Sequence, residues 1–180
     1  MLQLDSVRLG LALALLTLLF GIVMGIVFGI NEDGVKDYIN AGITANPDNH
    51  DDKSADKIWR YAQRSHFHAT GIGAFTLGLI VLVSLTGMKK RLKQLNATLI
   101  GLGGLYALSW FSTFLWAPSM GRDAAHHALV TELLVYVGTG GLLLGLAMLS
   151  ANLFLKVGNV RTVETMNQSK PAKALKGVRA

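Results

Sequence analysis

The pattern of apolar and polar positions divides the chain into four long apolar runs separated by short charged segments. The runs cover about 9–30, 66–87, 95–116 and 125–155, and each supplies the roughly 20 helical residues that the hydrocarbon core of a bilayer requires. The pattern predicts an all-α fold, an integral membrane four-helix bundle filling 1–155. A polar outer loop is expected over 31–65, with a short helix at 55–64 leading into the second run. Residues 88–94 read as a short hairpin that makes the second and third runs antiparallel neighbours. The fourth run is longer than a span needs, so its first turns are expected to protrude or tilt. The tail at 156–180 is basic and polar, and it is expected to be disordered and to contact lipid headgroups.

Charge sets the orientation of this bundle. The net charge of +6 would point to nucleic acid in a soluble chain, but its distribution follows the membrane pattern and no nucleic-acid partner is expected. If both termini lie inside, 11 of the 17 lysines and arginines fall on inner segments, including Lys89, Lys90, Arg91 and Lys93. The outer segments carry most of the acids, among them Glu32, Asp33, Asp37, Asp51 and Asp123. The positive-inside rule then places both termini in the cytoplasm and 31–65 and 118–124 outside. The expected location is a bacterial cytoplasmic (inner) membrane. The chain has no cysteine, which excludes disulfides and thiolate metal ligands.

Gly21, Gly25 and Gly29 recur once per turn along the first run, a small-residue stripe that lets another backbone approach closely. Packing within the bundle is one use of it. A homo-oligomer face, or contact with a larger membrane complex, is another.

The candidate chemistry sits at two helix mouths. His66 and His68 open the second run, and His126 and His127 open the fourth. Alternating spans place all four on the outer side. Residues two apart on a helix diverge by about 200° and adjacent ones by about 100°. His66 and His68 therefore cannot share one small ion, whereas one histidine from each of two helices suits axial ligation of haem b. The preferred pair is His68 with His127, whose stripe runs on through Thr131, Leu134 and Gly138. His66 with His126 is the alternative. Arg64 lies on the stripe of His68 with Tyr61, Gly71 and Phe75, where it could pair with a haem propionate. A copper or zinc site drawn from both helices, and plain interfacial hydrogen bonding by the histidines, are the competing uses. Glu132 stands within an apolar run, where an acid is costly unless paired. Tyr136 one turn on is its expected hydrogen-bond partner, and a proton relay or a quinone headgroup contact is its expected role.

The element His66-Phe67-His68 resembles the His-Phe-His element of the catalytic subunit of haem–copper oxidases, and His126-His127 is similar to the vicinal pair that binds copper there. The resemblance implies haem or copper ligation by these four residues. The two elements stand in reversed order here and no His-Pro-Glu-x-Tyr element is present, so oxygen reduction is not implied. The chain also resembles small four-span bacterial membrane proteins with a His-x-His element at the start of span two. Two functions follow as expectations. One is a small haem protein carrying electrons between quinol and an outer-face partner. The other is a non-catalytic accessory or assembly subunit of a larger complex. A proton-coupled transporter is less well served, since one acid lies in the spans and none of them is visibly broken.

Overall fold

The computed structural model describes residues 4–159, and they are helical almost throughout. Six α-helices follow in order: α1 (Arg8–Ala45), α2 (Ser54–Leu85), α3 (Lys90–Gly101), α4 (Leu105–Met120), α5 (Arg122–His126) and α6 (Leu129–Leu155). A 3-10 turn at Leu102–Gly104 joins α3 to α4, so the two act as one long rod. Four rods result, at Arg8–Ala45, Ser54–Leu85, Lys90–Met120 and Leu129–Leu155, each long and apolar enough to cross a membrane. The expected all-α bundle is the fold. The basic tail expected at 156–180 lies outside the described residues beyond position 159.

The largest departure from expectation concerns 31–65, which was read as a polar outer loop. Helix α1 continues through this segment to Ala45, broken only at Asn31 (φ −140°, ψ 46°), and α2 starts at Ser54. The loop proper is 46–53. Ile39 explains the difference: it is almost fully buried and packs with Ile58, Ala62, Phe114 and Ala117 in a second apolar cluster at this end of the bundle. Tyr38 adds a hydrogen bond, its hydroxyl donating to the Leu115 carbonyl at 2.7 Å. The end that carries 46–53 and α5 is called the loop end here, and the end with the α2–α3 connection the hairpin end.

The fourth run is also divided. Its first residues form the separate short helix α5, and α6 begins only at Leu129 because Ala128 is extended (ψ 133°). Helix α4 stops at Gly121, whose φ of 87° is open to glycine at little cost.

The distribution of side chains is inverted relative to a water-soluble protein. Leu16, Leu19, Leu143 and Phe154 are well exposed, while Ser65, Thr76, Asn96 and Thr113 are buried. The buried hydroxyls are satisfied locally. Thr76 donates to the Ile72 carbonyl at 2.6 Å and Thr113 to the Ser109 carbonyl at 2.9 Å. Small residues then let backbones approach. A Cβ on Gly21 would lie 2.7 Å from the Thr70 nitrogen, and one on Gly138 would lie 2.6 Å from the Tyr106 nitrogen. Of the glycine stripe on α1, Gly21 and Gly25 are thus covered by α2 of the same chain, Gly25 by the His66 ring, and Gly29 faces open space.

This packing predicts a sharp contrast along one stripe. Gly21→Leu should lower stability by about 3 kcal/mol, the upper range for overpacking, while Gly29→Leu should be close to neutral. Unfolding of the two purified variants in detergent, followed by circular dichroism, measures the difference.

Candidate functional site

Three helices bring aromatic and titratable side chains together at the loop end. On α2, Tyr61, Arg64 and His68 lie three and four residues apart and share a face. On α4, Tyr106 and Trp110 do the same. The short α5 adds His126. The rings meet around Trp110, with Tyr61 5.6 Å away centroid to centroid, His126 5.4 Å away edge-on, and His68 6.4 Å away in a nearly parallel stack. Tyr61 also meets His126 at 4.9 Å, and Tyr106 meets His68 at 5.0 Å. The Arg64 guanidinium lies 4.7 Å from the centroid of the Trp110 ring, a cation–π contact.

Hydrogen bonds hold the three helices at this depth. The Ser65 hydroxyl donates to the Ala107 carbonyl at 3.0 Å, tying α2 to α4, and Ser112 meets Thr131 at 2.9 Å, tying α4 to α6. Helix α5 is tethered from the loop. Arg122 pairs with Asp51 at 2.8 Å, and Asp51 also accepts from the Ser54 hydroxyl at 2.8 Å. The Ser54 hydrogen bond, helped by the Arg122 charge, holds the Asp51 carboxyl below its ordinary value against the opposing effect of desolvation. His50 adds a ring-nitrogen hydrogen bond with the Pro118 carbonyl at 3.0 Å.

The four histidines divide two and two. His66 turns to α1, where Nδ1 makes a 2.7 Å hydrogen bond with the Gly21 carbonyl. His127 hydrogen-bonds Glu132 at 3.1 Å. His68 and His126 have no hydrogen-bond partner among the described residues, and both face Trp110. The opposed directions of His66 and His68 follow from their two-residue spacing, as expected.

Two sequence expectations fail here. Glu132 meets His127 and not Tyr136, whose side chain makes no hydrogen bond among the described residues. The stripe drawn from His127 through Thr131 and Gly138 does not exist, because the extended Ala128 separates His127 from α6. Further along the stripe of His68, Gly71 faces open space and Phe75 is exposed. Trp110 and Tyr106 are the residues that sequence reading missed as site members. Their spacing of four on one helix is the available signal, but it does not say which way that face points.

Beside this cluster lies a cleft of about 430 Å³ between α4, α5 and α6. Tyr106 and Trp110 of α4, His126 of α5, and Glu132, Val135 and Tyr136 of α6 line it. Tyr136 keeps 69% of its surface, so the cleft is open beside it. The Trp110 Nε1 is buried without an acceptor.

Axial haem ligation needs two ring nitrogens about 4 Å apart, one metal–nitrogen bond of about 2 Å on each side. His68 and His126 each contact the Trp110 ring, and His127 is turned to Glu132. Among the described residues no group of three His, Cys, Asp or Glu side chains is arranged to hold a metal ion. No family model matches the chain, and neither does any curated protein or solved structure.

The state of His126 gives a pH prediction. Burial pushes its pKa below the ordinary 6.5, helped by His127 and Arg64 and opposed by Asp123. The unfolded chain therefore binds more protons here than the folded one as pH falls through about 6.5 and below. Stability should be full above that value and decline towards pH 5, and His126→Gln should flatten the decline. Thermal unfolding of both proteins between pH 7.5 and about 5 reads it.

Proposed function

We propose that this chain is an integral membrane protein whose loop-end cleft binds a lipid-borne molecule of the quinone class, a flat ring with hydrogen-bonding oxygens and an apolar tail. One observation carries the reading. The cleft collects hydrogen-bonding groups that have no protein partner among the described residues: the His126 ring, the buried Trp110 Nε1–H, and the hydroxyls of Tyr106 and Tyr136. Of these the Trp110 Nε1–H is buried, and a buried donor is ordinarily paired; a ligand oxygen would pair it and lie within reach of the more exposed groups. The aromatic lining suits a flat ring, the size lies within the range of small-molecule sites, and the open side beside the exposed Tyr136 leaves room for an apolar tail.

In this reading both termini are cytoplasmic and the loop end faces outward, which the charge division supports. Asp52→Cys and Lys90→Cys should label from opposite sides with an impermeant thiol reagent. Labelling from the same side would remove the orientation. In this reading the chain acts as the quinone-binding subunit of a larger complex or beside a soluble outer partner.

Binding is measured with decylubiquinone, whose ring should quench Trp110 fluorescence in the detergent-solubilised protein. Tyr136→Phe and His126→Ala should each weaken binding about tenfold, the equivalent of one good hydrogen bond, while Gly140→Ala, which faces open space, should not. Absence of saturable quenching, or a Soret band in the parent protein that disappears in His68→Ala, would overturn the reading in favour of none or of haem.

A further inference from the structure

Resting on the quinone reading, we infer that Glu132, His127 and Asp123 form a proton path from the cleft to the water at the loop end. The three groups are in line. The Glu132 carboxylate lines the cleft and lies 3.1 Å from His127 Nδ1, and His127 Nε2 lies 3.9 Å from the Asp123 carboxylate. Side-chain exposure rises along the line, from 39% at Glu132 to 70% at His127 and 100% at Asp123. An imidazole placed with one nitrogen towards each carboxylate can take a proton on one side and release one on the other.

The backbone explains why the pair exists. Residues five apart on one continuous helix point about 140° from each other, so His127 could not reach Glu132 across an unbroken α5–α6. The extended Ala128 ends α5 and lets His127 fold back over the first turn of α6. The break that removes the expected His127 stripe thus creates a contact between the cleft and the surface.

Each transfer balances. A hydroxyl of the bound ring gives its proton to the Glu132 carboxylate and remains as the oxyanion. Glu132 passes the proton to His127 Nδ1, and His127 releases the proton on Nε2 to water or to Asp123. The carboxylate is restored and the imidazole is left neutral. The other titratable and charged groups around this line are His126 on α5, Arg64 on α2 through His126, Tyr106 on α4 and Tyr136 on α6.

The probe is 2-hydroxy-3-undecyl-1,4-naphthoquinone, whose visible colour changes when its enol ionises. With the probe bound to the full chain in detergent, a stopped-flow pH jump records the rate of that change. His127→Ala should slow it at least about tenfold, and added imidazole should restore it, since His127 sits where solvent reaches. Glu132→Gln should slow it without rescue. An unchanged rate in His127→Ala, or slowing that imidazole does not relieve, overturns the relay. A probe whose spectrum and fluorescence quenching show no binding to the parent overturns the quinone reading first, and the two failures are thereby told apart.

Discussion

The close approach of helix backbones through small residues is the constraint on which this molecule depends. With many leucines turned outward, the helices meet through dense packing of small residues and internal hydrogen bonds. Gly21 lies against Thr70 and Ala69, Gly73 against Leu18, and Gly138 against Leu105 and Tyr106. The last of these sets the distance between α4 and α6. It leaves the cleft above it, where the helices part around Trp110, Glu132 and Tyr136. A site between rods packed this way inherits rigid walls from the backbone and takes its chemistry from the few large side chains near the rod ends.

The loop end is where length and polarity combine. Helices α1 and α2 are 38 and 32 residues long, more than the ~20 that would span a bilayer core, and both reach this end. It carries its own apolar cluster around Ile39, Ile58 and Phe114. The loop 46–53 then fastens α5 through Asp51 and Arg122, and the α4 terminus through His50. An exposed ion pair of this kind contributes little stability. Its value here is positional, because α5 brings His126 to Trp110 and His127 to Glu132.

The four rods were legible in the sequence because long apolar runs allow few other folds. The helical continuation of α1 was legible too, and was missed: Val35, Ile39 and Ile43 recur every four residues within the polar segment, and all three join the loop-end cluster. The shared location of His68 and His126 followed from alternating spans. Which histidines were free did not, since that depends on helix rotation, and rotation was decided by glycines that seat His66 against α1. The break at Ala128 has no glycine or proline to announce it. The His127 stripe, drawn along a continuous fourth helix, failed at that residue, and the His127 so released takes the Glu132 carboxylate that Tyr136 was expected to meet.

The central claim is that a quinone-class ring occupies the space between Trp110 and Glu132. Photolabelling the protein in lipid vesicles with an azidoquinone and mapping the modified peptides by mass spectrometry tests it directly. The account predicts label on the α4 segment around Tyr106–Trp110 and on the first two turns of α6, reduced by excess unlabelled quinone. Label spread over the exposed leucines of α1 and the hairpin end, unaffected by competitor, would contradict it.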